Sequence, residues 1–396
     1  MLLMKYLNYK IEDLVSRGGY NTAKEICSQP EIWKKTYLKL LEEKDRILKF
    51  LDKVQETECP YVILTGAGTS AFIGEALVGE FQKKWKVSCR AIATTDIITH
   101  PENYFLESRP TLFISFARSG DSPESVAAIE LAEKYCNHLY ELNITCNKDG
   151  ELAKKNGSIN SYTLLLPEET NDLSLAMTSS FSSMLLAGLL ILNIREIEHF
   201  QSLIKKVQDF GNYILDECLP ELKRIAEMKY ERMVFLGSGP LLGVAHESHL
   251  KVQEMSDGQV ICKFDSFLGF RHGPKVVVNH STVVVYLFSN DKFSECYELD
   301  LVQSVNETKA GEKSVAIGSP YDAKEFGFDY SMQFPGGTDD IPEEFLSVFY
   351  ILPAQIIGFY KSMSLGLSPD SPSKSNSISR VVQGVKIYNS IKADTL

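Results

Sequence analysis

"YVILTGAGTSAFIGEAL" occupies residues 61–77, and "MVFLGSGPLLGVAHESHL" occupies residues 233–250. Each is a short apolar run, a Gly-x-Gly turn and a helix start, with Gly66 and Gly68 answered by Gly237 and Gly239. Each copy is followed by further short β-rich runs. In the first half these are "CRAIATT" (89–95), "TLFISF" (111–116), "HLYELNIT" (138–145) and "SYTLLLP" (161–167). In the second they are "QVICKF" (259–264), "TVVVYLF" (282–288) and "KSVAIG" (313–318), with helical stretches between them. Strands alternating with helices imply parallel sheets covered on both faces. The expected fold is α/β, two doubly wound parallel-sheet domains in tandem behind an N-terminal helical segment. Residues 1–55 read as helical, ending in the amphipathic "KKTYLKLLEEKDRILKFLDKV" (34–54). The expected divisions are a helical segment 1–45, a first domain 46–205, a second domain 206–367 and a tail 368–396. The boundary between the domains falls in the helical connection around 200–228. The front of the tail, within "GLSPDSPSKSNSISR" (366–380), is Ser/Pro-rich and expected to be mobile.

The whole chain narrows the function classes. At 396 residues it is long enough for two or three cores, and 44% hydrophobic with 23% charged residues is ordinary globular composition. A net charge of −11 argues against a general nucleic-acid binder. The opening "MLLMKYLNYKIEDLV" soon meets charged residues and makes a poor secretory signal. The longest apolar run, Met184 to Ile194, falls short of the roughly 20 residues a bilayer span needs and reads as a buried helix. Eight scattered cysteines without a Cys-x-x-Cys pair exclude the usual zinc-ribbon and thioredoxin patterns and fit a reducing cytoplasm.

The two halves are chemically unequal. "ISFARSGDSPES" (114–125) joins a strand to a helix beginning near Ser122, whereas the matching strand end in the second half reads "YLFSNDKFS" (286–294). Ligands of open α/β sheets bind outside the strand carboxyl ends. Three first-half loops emerge there: "GAGTS" (66–70), "ARSGDS" (117–122) and "AMTSS" (176–180). Each supplies hydroxyls and opens a helix, whose free N–H groups and dipole favour negative charge. Thr69, Ser70, Ser119, Ser122, Thr178 and Ser179 are the candidate donors, and Arg118 adds a fork-shaped positive charge suited to phosphate oxygens. Singly, each loop is just a helix cap; together they point to a phosphate. A dinucleotide is the rival, since "GAGTSA" fits Gly-x-Gly-x-x-Ala. The acidic residue that pattern wants some 20 positions on has only Asp96 as a candidate, and Asp96 lies too late. With no Gly-x-x-x-x-Gly-Lys-Ser/Thr in the chain, a compact monophosphate fits better.

The reactive groups are sought in the second half. "HESHLKVQEMS" (246–256) reads as a helix with Glu247, Lys251 and Glu254 on one face. In isolation such spacing is usually a solvated salt-bridge ladder. Here Val252 and Met255 supply the apolar contacts, and a carboxylate beside a lysine is suited to carrying a proton. His246 and His249 do not form His-Glu-x-x-His and have no evident third ligand, so no metal is expected. "FRHGP" (270–274) holds His272 in a turn before the expected strand "KVVV"; a turn histidine is commonly structural, but imidazole is also the natural proton shuttle near neutral pH.

As a set, "GAGTS", "RSGDSPES", "AMTSSF", "HESHLKVQEMS", "FRHGP" and the closing "RVVQGVKIY" resemble the sugar-isomerase (SIS) domain proteins. The resemblance runs from about residue 45 to the end and is nearest to the bacterial AgaS-type galactosamine-6-phosphate deaminase/isomerase group. That group has long been described as tagatose-6-phosphate ketose/aldose isomerases. By resemblance to the more distant isomerase half of glucosamine-6-phosphate synthase, Thr69, Ser70, Ser119 and Ser122 hold the sugar phosphate. The same resemblance makes Glu254 the proton-transferring glutamate, with Glu247 and Lys251 beside it, and His272 the ring-opening histidine. It implies a homodimer or higher homo-oligomer, with His272 acting either in its own subunit's site or in a neighbour's. It also implies a cytoplasmic enzyme with no metal or other cofactor, no nucleic acid and no membrane among its partners. Two departures bear on the chemistry. Arg380 stands where the synthase carries an imine-forming lysine, and a guanidinium cannot form that Schiff base. The chain, starting "MLLMKY", shows no glutamine amidotransferase domain, so ammonia release is the expected direction.

Overall fold

The computed structural model describes residues 5–57, 60–154, 160–308, 310–319, 326–382 and 384–388. Helices flank two five-stranded parallel sheets, ordered β4-β3-β5-β6-β7 and β9-β8-β10-β11-β12. The first is built from β3 (Tyr61–Thr65), β4 (Cys89–Ala91), β5 (Thr111–Ala117), β6 (Leu139–Thr145) and β7 (Ser161–Leu165). The second is built from β8 (Arg232–Leu236), β9 (Ile261–Asp265), β10 (Thr282–Leu287), β11 (Lys313–Ile317) and β12 (Tyr330–Met332). The three-residue β12 is too short to have left a pattern in the sequence. Val62 and Leu64 join one hydrophobic cluster while Tyr61 and Ile63 join another, so β3 is covered on both faces. That burial is why the parallel strands are continuous apolar runs rather than alternating ones.

The N-terminal 55 residues are not uniformly helical. The two-residue strands β1 (Lys5–Tyr6) and β2 (Tyr9–Lys10) pair antiparallel. Leu7 and Asn8 reverse the chain between them at φ 46° and 62°, the signature of a tight hairpin turn. After α1 (Ile11–Ser16) comes α2 (Tyr20–Gln55), 36 residues long, which buries Ile26, Trp33, Leu40 and Ile47 on one stripe. Trp33 Nε1 donates to Ser182 Oγ at 2.8 Å, tying α2 to α7 (Ser179–Leu192). Helix α7 contains the predicted apolar run as far as Leu192 and is buried on every side.

The remaining first-half helices are α3 (Thr69–Trp85), α4 (Thr94–Thr99), α5 (Pro123–Tyr135) and α6 (Glu151–Lys154). The connection through α8 (Gln201–Glu217) and α9 (Leu219–Glu227) is helical, as expected. It leads to α10 (Pro240–Met255), α11 (Phe267–Phe270), α12 (Lys292–Asn306), α13 (Glu343–Tyr350) and α14 (Leu352–Ser364). Among the described residues, the stretch Glu343–Ser364 has the length and hydropathy of a membrane span, but its most apolar 18-residue window is buried inside the protein.

Helices α3 and α10, the first helices after the two Gly-x-Gly turns, pack against each other. A Cβ on Gly243 would stand 2.5 Å from Ala76 N, so only glycine permits this crossing. The close approach brings the N-terminal turn of α3 alongside the charged face of α10. The tail differs from expectation too. Asp370 accepts hydrogen bonds from the amides of Thr22, at 2.8 Å, and Asn21, at 3.1 Å, which docks the Ser/Pro-rich segment onto α2.

Candidate active site

The first-half loops build a small polar pocket. Gly68 turns the chain at φ 55° and ψ −126° out of β3 into α3. Gly66 is equally constrained, since a Cβ there would meet the Ser70 backbone at 2.6 Å. The β5–α5 turn pivots on Gly120 at φ 71° and places Ser122 at the N-cap of α5. A cavity of about 200 Å³ results, lined by Ser70, Ser119 and Ser122 with Gly68, Thr95, Arg118, Glu124 and Arg380. Four serines, Ser125 being the fourth, and residues from the first turns of α3, α4 and α5 line it, a setting suited to an anion. Ser122 Oγ donates to Glu124 Oε2 at 2.8 Å, and Ser119 Oγ accepts from the Asp121 amide at 3.2 Å. Thr95 was missed because "ATTD" (93–96) reads as a strand end, whereas Thr94 and Thr95 open α4.

Thr178 and Ser179 are placed differently from expectation. Both are fully buried, and they satisfy Asp172 rather than facing the pocket. The Asp172 carboxylate accepts from the Thr178, Ser179 and Ser180 amides at 2.8, 3.2 and 2.9 Å. The positive end of α7 is therefore already occupied by the protein's own anion. The neighbouring Glu25 carboxyl is pushed up to about 7, chiefly by burial and then by Asp172.

Arg118, 7% exposed, spends its guanidinium on backbone carbonyls. Nη1 donates to Ser174 O and Leu175 O, both at 3.1 Å, and Nη2 to Arg380 O. Arg380 in turn donates from Nε to Asp172 O and from Nη2 to Asn171 Oδ1, each at 2.8 Å. The two arginines strap the tail across the mouth of the pocket. No sequence pattern pointed to that strap, because it joins segments more than 200 residues apart.

Beside the pocket lies a larger cleft of about 780 Å³. Thr69, Lys251 and Glu254 line it, together with tail residues 376–380 and Val382. The two spaces share Gly68, Arg118, Met177, Arg380 and Val382 as common walls. On α10, Lys251 and Glu247 are fully buried and lie 3.1 Å apart, while Lys251 also pairs with Glu254, whose side chain is 14% exposed. The spacing that in isolation suggests a solvated ladder is here an internal ionic row with one carboxylate at the cleft. Burial pushes Glu247 up to about 8, against the pull of Lys251. Lys251 is drawn down by burial, but its two carboxylate neighbours hold it above its ordinary value. At neutral pH Glu247 is thus protonated beside the Lys251 ammonium, which limits the net charge buried in the row.

The histidines fall outside the cleft. His246 is sandwiched between Phe72 and Phe264, at ring separations of 3.6 and 3.7 Å, with Nδ1 2.8 Å from Glu75 Oε2. His249 is pushed down to about 4, chiefly by burial. Both belong to the α3–α10 seam. Among the described residues no three His, Cys, Asp or Glu side chains gather as a metal site. His272 is exposed and lines neither cavity. The expected strand after it is instead a 3-10 turn, Pro274–Val277, entered through Gly273 at φ 110°.

Fold and site together define a two-sheet α/β protein with a serine-lined crevice at the first sheet and a buried carboxylate–lysine row in a cleft beside it. A family model described as the SIS domain matches residues 57–194. The chain belongs to the SIS-domain family. It is 39% identical to the D-galactosamine-6-phosphate deaminase AgaS of Shewanella sp. (strain ANA-3), over 96% of this chain and 95% of that one. A solved structure from Clostridium novyi NT superposes with a TM-score of 0.93 at 41% identity, over 98% of this chain and 100% of that one. The tagatose-6-phosphate ketose/aldose isomerase structure from Escherichia coli superposes with a TM-score of 0.85 at 31% identity, over 96% and 99%.

Proposed function

We propose that this protein is a deaminase/isomerase of amino-sugar phosphates, converting galactosamine 6-phosphate to tagatose 6-phosphate and ammonia. The observation that supports it most is the meeting of two features in adjoining cavities. One is the serine-lined cradle; the other is a buried carboxylate–lysine row that presents a single carboxylate, Glu254. The similarity to proteins named for this reaction supports the choice of substrate.

In this reading Ser70, Ser119 and Ser122 hold the 6-phosphate, and that remote grip orients the reacting carbons. Ring opening exposes the C1 aldehyde. Glu254 takes the C2 proton, the C1–C2 enolamine forms, and the proton returns to C1, leaving an imine at C2. Water adds to that imine carbon and the C–N bond breaks, giving the ketose and ammonia with no change in overall oxidation state. Lys251 pairs with Glu254 and holds it in place, while protonated Glu247 limits the negative charge buried in the row. His272, exposed on its turn, serves ring opening in the cleft of a neighbouring copy, so the working form is a homodimer or larger.

The reading divides the chain into a helical segment 1–45, SIS domains 46–205 and 206–367, each doubly wound, and a tail 368–396. It places the enzyme in the cytoplasm, acting without cofactor, metal, nucleic acid or membrane. A panel of hexose and hexosamine 6-phosphates, followed for ammonia and ketose together, tests it. Equal yields of ammonia and ketose from galactosamine 6-phosphate are expected. Ketose from nitrogen-free aldoses alone would replace deamination with plain isomerisation, and binding without turnover would make the protein a sensor.

A further inference from the structure

Thr69 and Ser70 are consecutive residues in the first turn of α3, yet they face different spaces. Ser70 lines the small cradle with Ser119 and Ser122, whereas Thr69 lines the larger cleft with Lys251 and Glu254. The Thr69 hydroxyl donates to Glu247 Oε1 at 3.3 Å and accepts from Lys251 Nζ at 3.3 Å. An ammonium has three N–H donors. Lys251 Nζ meets Glu247 and Glu254 as ion pairs and donates to Thr69, so the fully buried ammonium is faced by acceptors from both helices. The tight α3–α10 crossing at Gly243 keeps this turn in register with α10.

Resting on the functional reading above, we infer that Thr69 is a positioning residue rather than a phosphate ligand. Its hydroxyl fixes Lys251 and Glu247 so that Glu254 is presented to the substrate. The same helical turn borders the cradle through Ser70, so the grip on the phosphate and the placement of the base share one rigid element. Substrate phosphate held at Ser70 steadies the turn that steadies the row.

Two variants test this. Thr69→Val removes the hydroxyl at nearly constant volume, and Thr69→Ser keeps it. For T69V the expected result is a kcat for ammonia release lower by about tenfold to a hundredfold, with a displaced kcat–pH profile. KM and the calorimetric affinity for inorganic phosphate stay within about twofold of wild type. T69S should overlay the wild-type profile and recover most of kcat. Loss of phosphate affinity by about tenfold in T69V with kcat intact would return Thr69 to the cradle. An unchanged kcat in T69V would equally overturn the inference. If wild-type protein releases no ammonia from any hexosamine 6-phosphate, the functional reading fails instead. The inference is then decided by phosphate calorimetry and by the pH dependence of thermal unfolding, which T69V must alter and T69S must not.

Discussion

After β3 the chain passes through Gly68 at φ 55° and ψ −126°; after β8 it passes through Gly239 at φ 55° and ψ −130°. The backbones of the two turns match, but the crevices they border do not. In the first half, α3 opens with Thr69 and Ser70, and Ser70 lines the cradle with Ser119 and Ser122. In the second, α10 opens with Pro240 and Leu241, and the Glu343 carboxylate sits 3.9 Å from where a Gly239 Cβ would stand. The Ser289 hydroxyl, at the end of the strand matching β5, donates to that carboxylate. The second crevice therefore holds a carboxyl group of the protein itself in the place where the first is lined by hydroxyls. The two halves share one scaffold, and single side chains at the strand ends make their crevices chemically different.

The comparison can be broken most forcefully at its reactive end. Glu254→Gln should lower turnover and C2 solvent-deuterium exchange by about a hundredfold to ten-thousandfold while leaving phosphate affinity intact. Full exchange in that variant would remove Glu254 from its role. Lys251→Met leaves Glu247 and Glu254 without their ammonium partner, and breaking a buried pair in this way costs about 3–5 kcal/mol. A denaturant midpoint unchanged from wild type would show the row to be solvated after all.

At the binding end, Ser119→Ala with Ser122→Ala should raise KM and weaken inorganic phosphate by about tenfold to a hundredfold, with a smaller effect on kcat. In the second half, burial raises Glu298 to about 8. The folded state therefore holds this proton more tightly than the unfolded chain, and the stabilisation is full in acid and lost as pH rises towards about 8. Glu298→Gln should flatten part of the fall in melting temperature between about pH 5 and 8; an unaltered slope would contradict this. The smallest effect is expected from Glu343→Ala, which vacates the second crevice. Asp291 and Glu80 still oppose an anion there, so calorimetry should keep the wild-type phosphate stoichiometry. A second phosphate per chain would show that Glu343 alone closes the site.

Much of this was legible beforehand because it is local. Gly66 and Gly68, the apolar β3 and β8 runs and the i, i+4, i+7 spacing on α10 are properties of short segments, and the structure contains each where it was expected. What was misread depended on partners distant in sequence or on turns of two or three residues. Leu7 and Asn8 make a hairpin inside a stretch that looks helical. Thr178 and Ser179 look like ligand donors until Asp172 takes them. Arg118 looks like a phosphate fork until the tail's Arg380 carbonyl and the Ser174 and Leu175 carbonyls claim its N–H groups.

From the sequence alone came the repeated α/β plan, the inequality of its halves and the residue types able to hold an anion or move a proton. Those follow from periodicity and chemistry within a dozen residues. The tertiary structure decided which candidates face a cavity and which face one another. Whether Thr69 meets a phosphate or a lysine depends on the crossing of two helices that start some 170 residues apart, where Gly243 meets Ala76. Packing of that kind is set by shape complementarity across the whole core, and no window of sequence contains it.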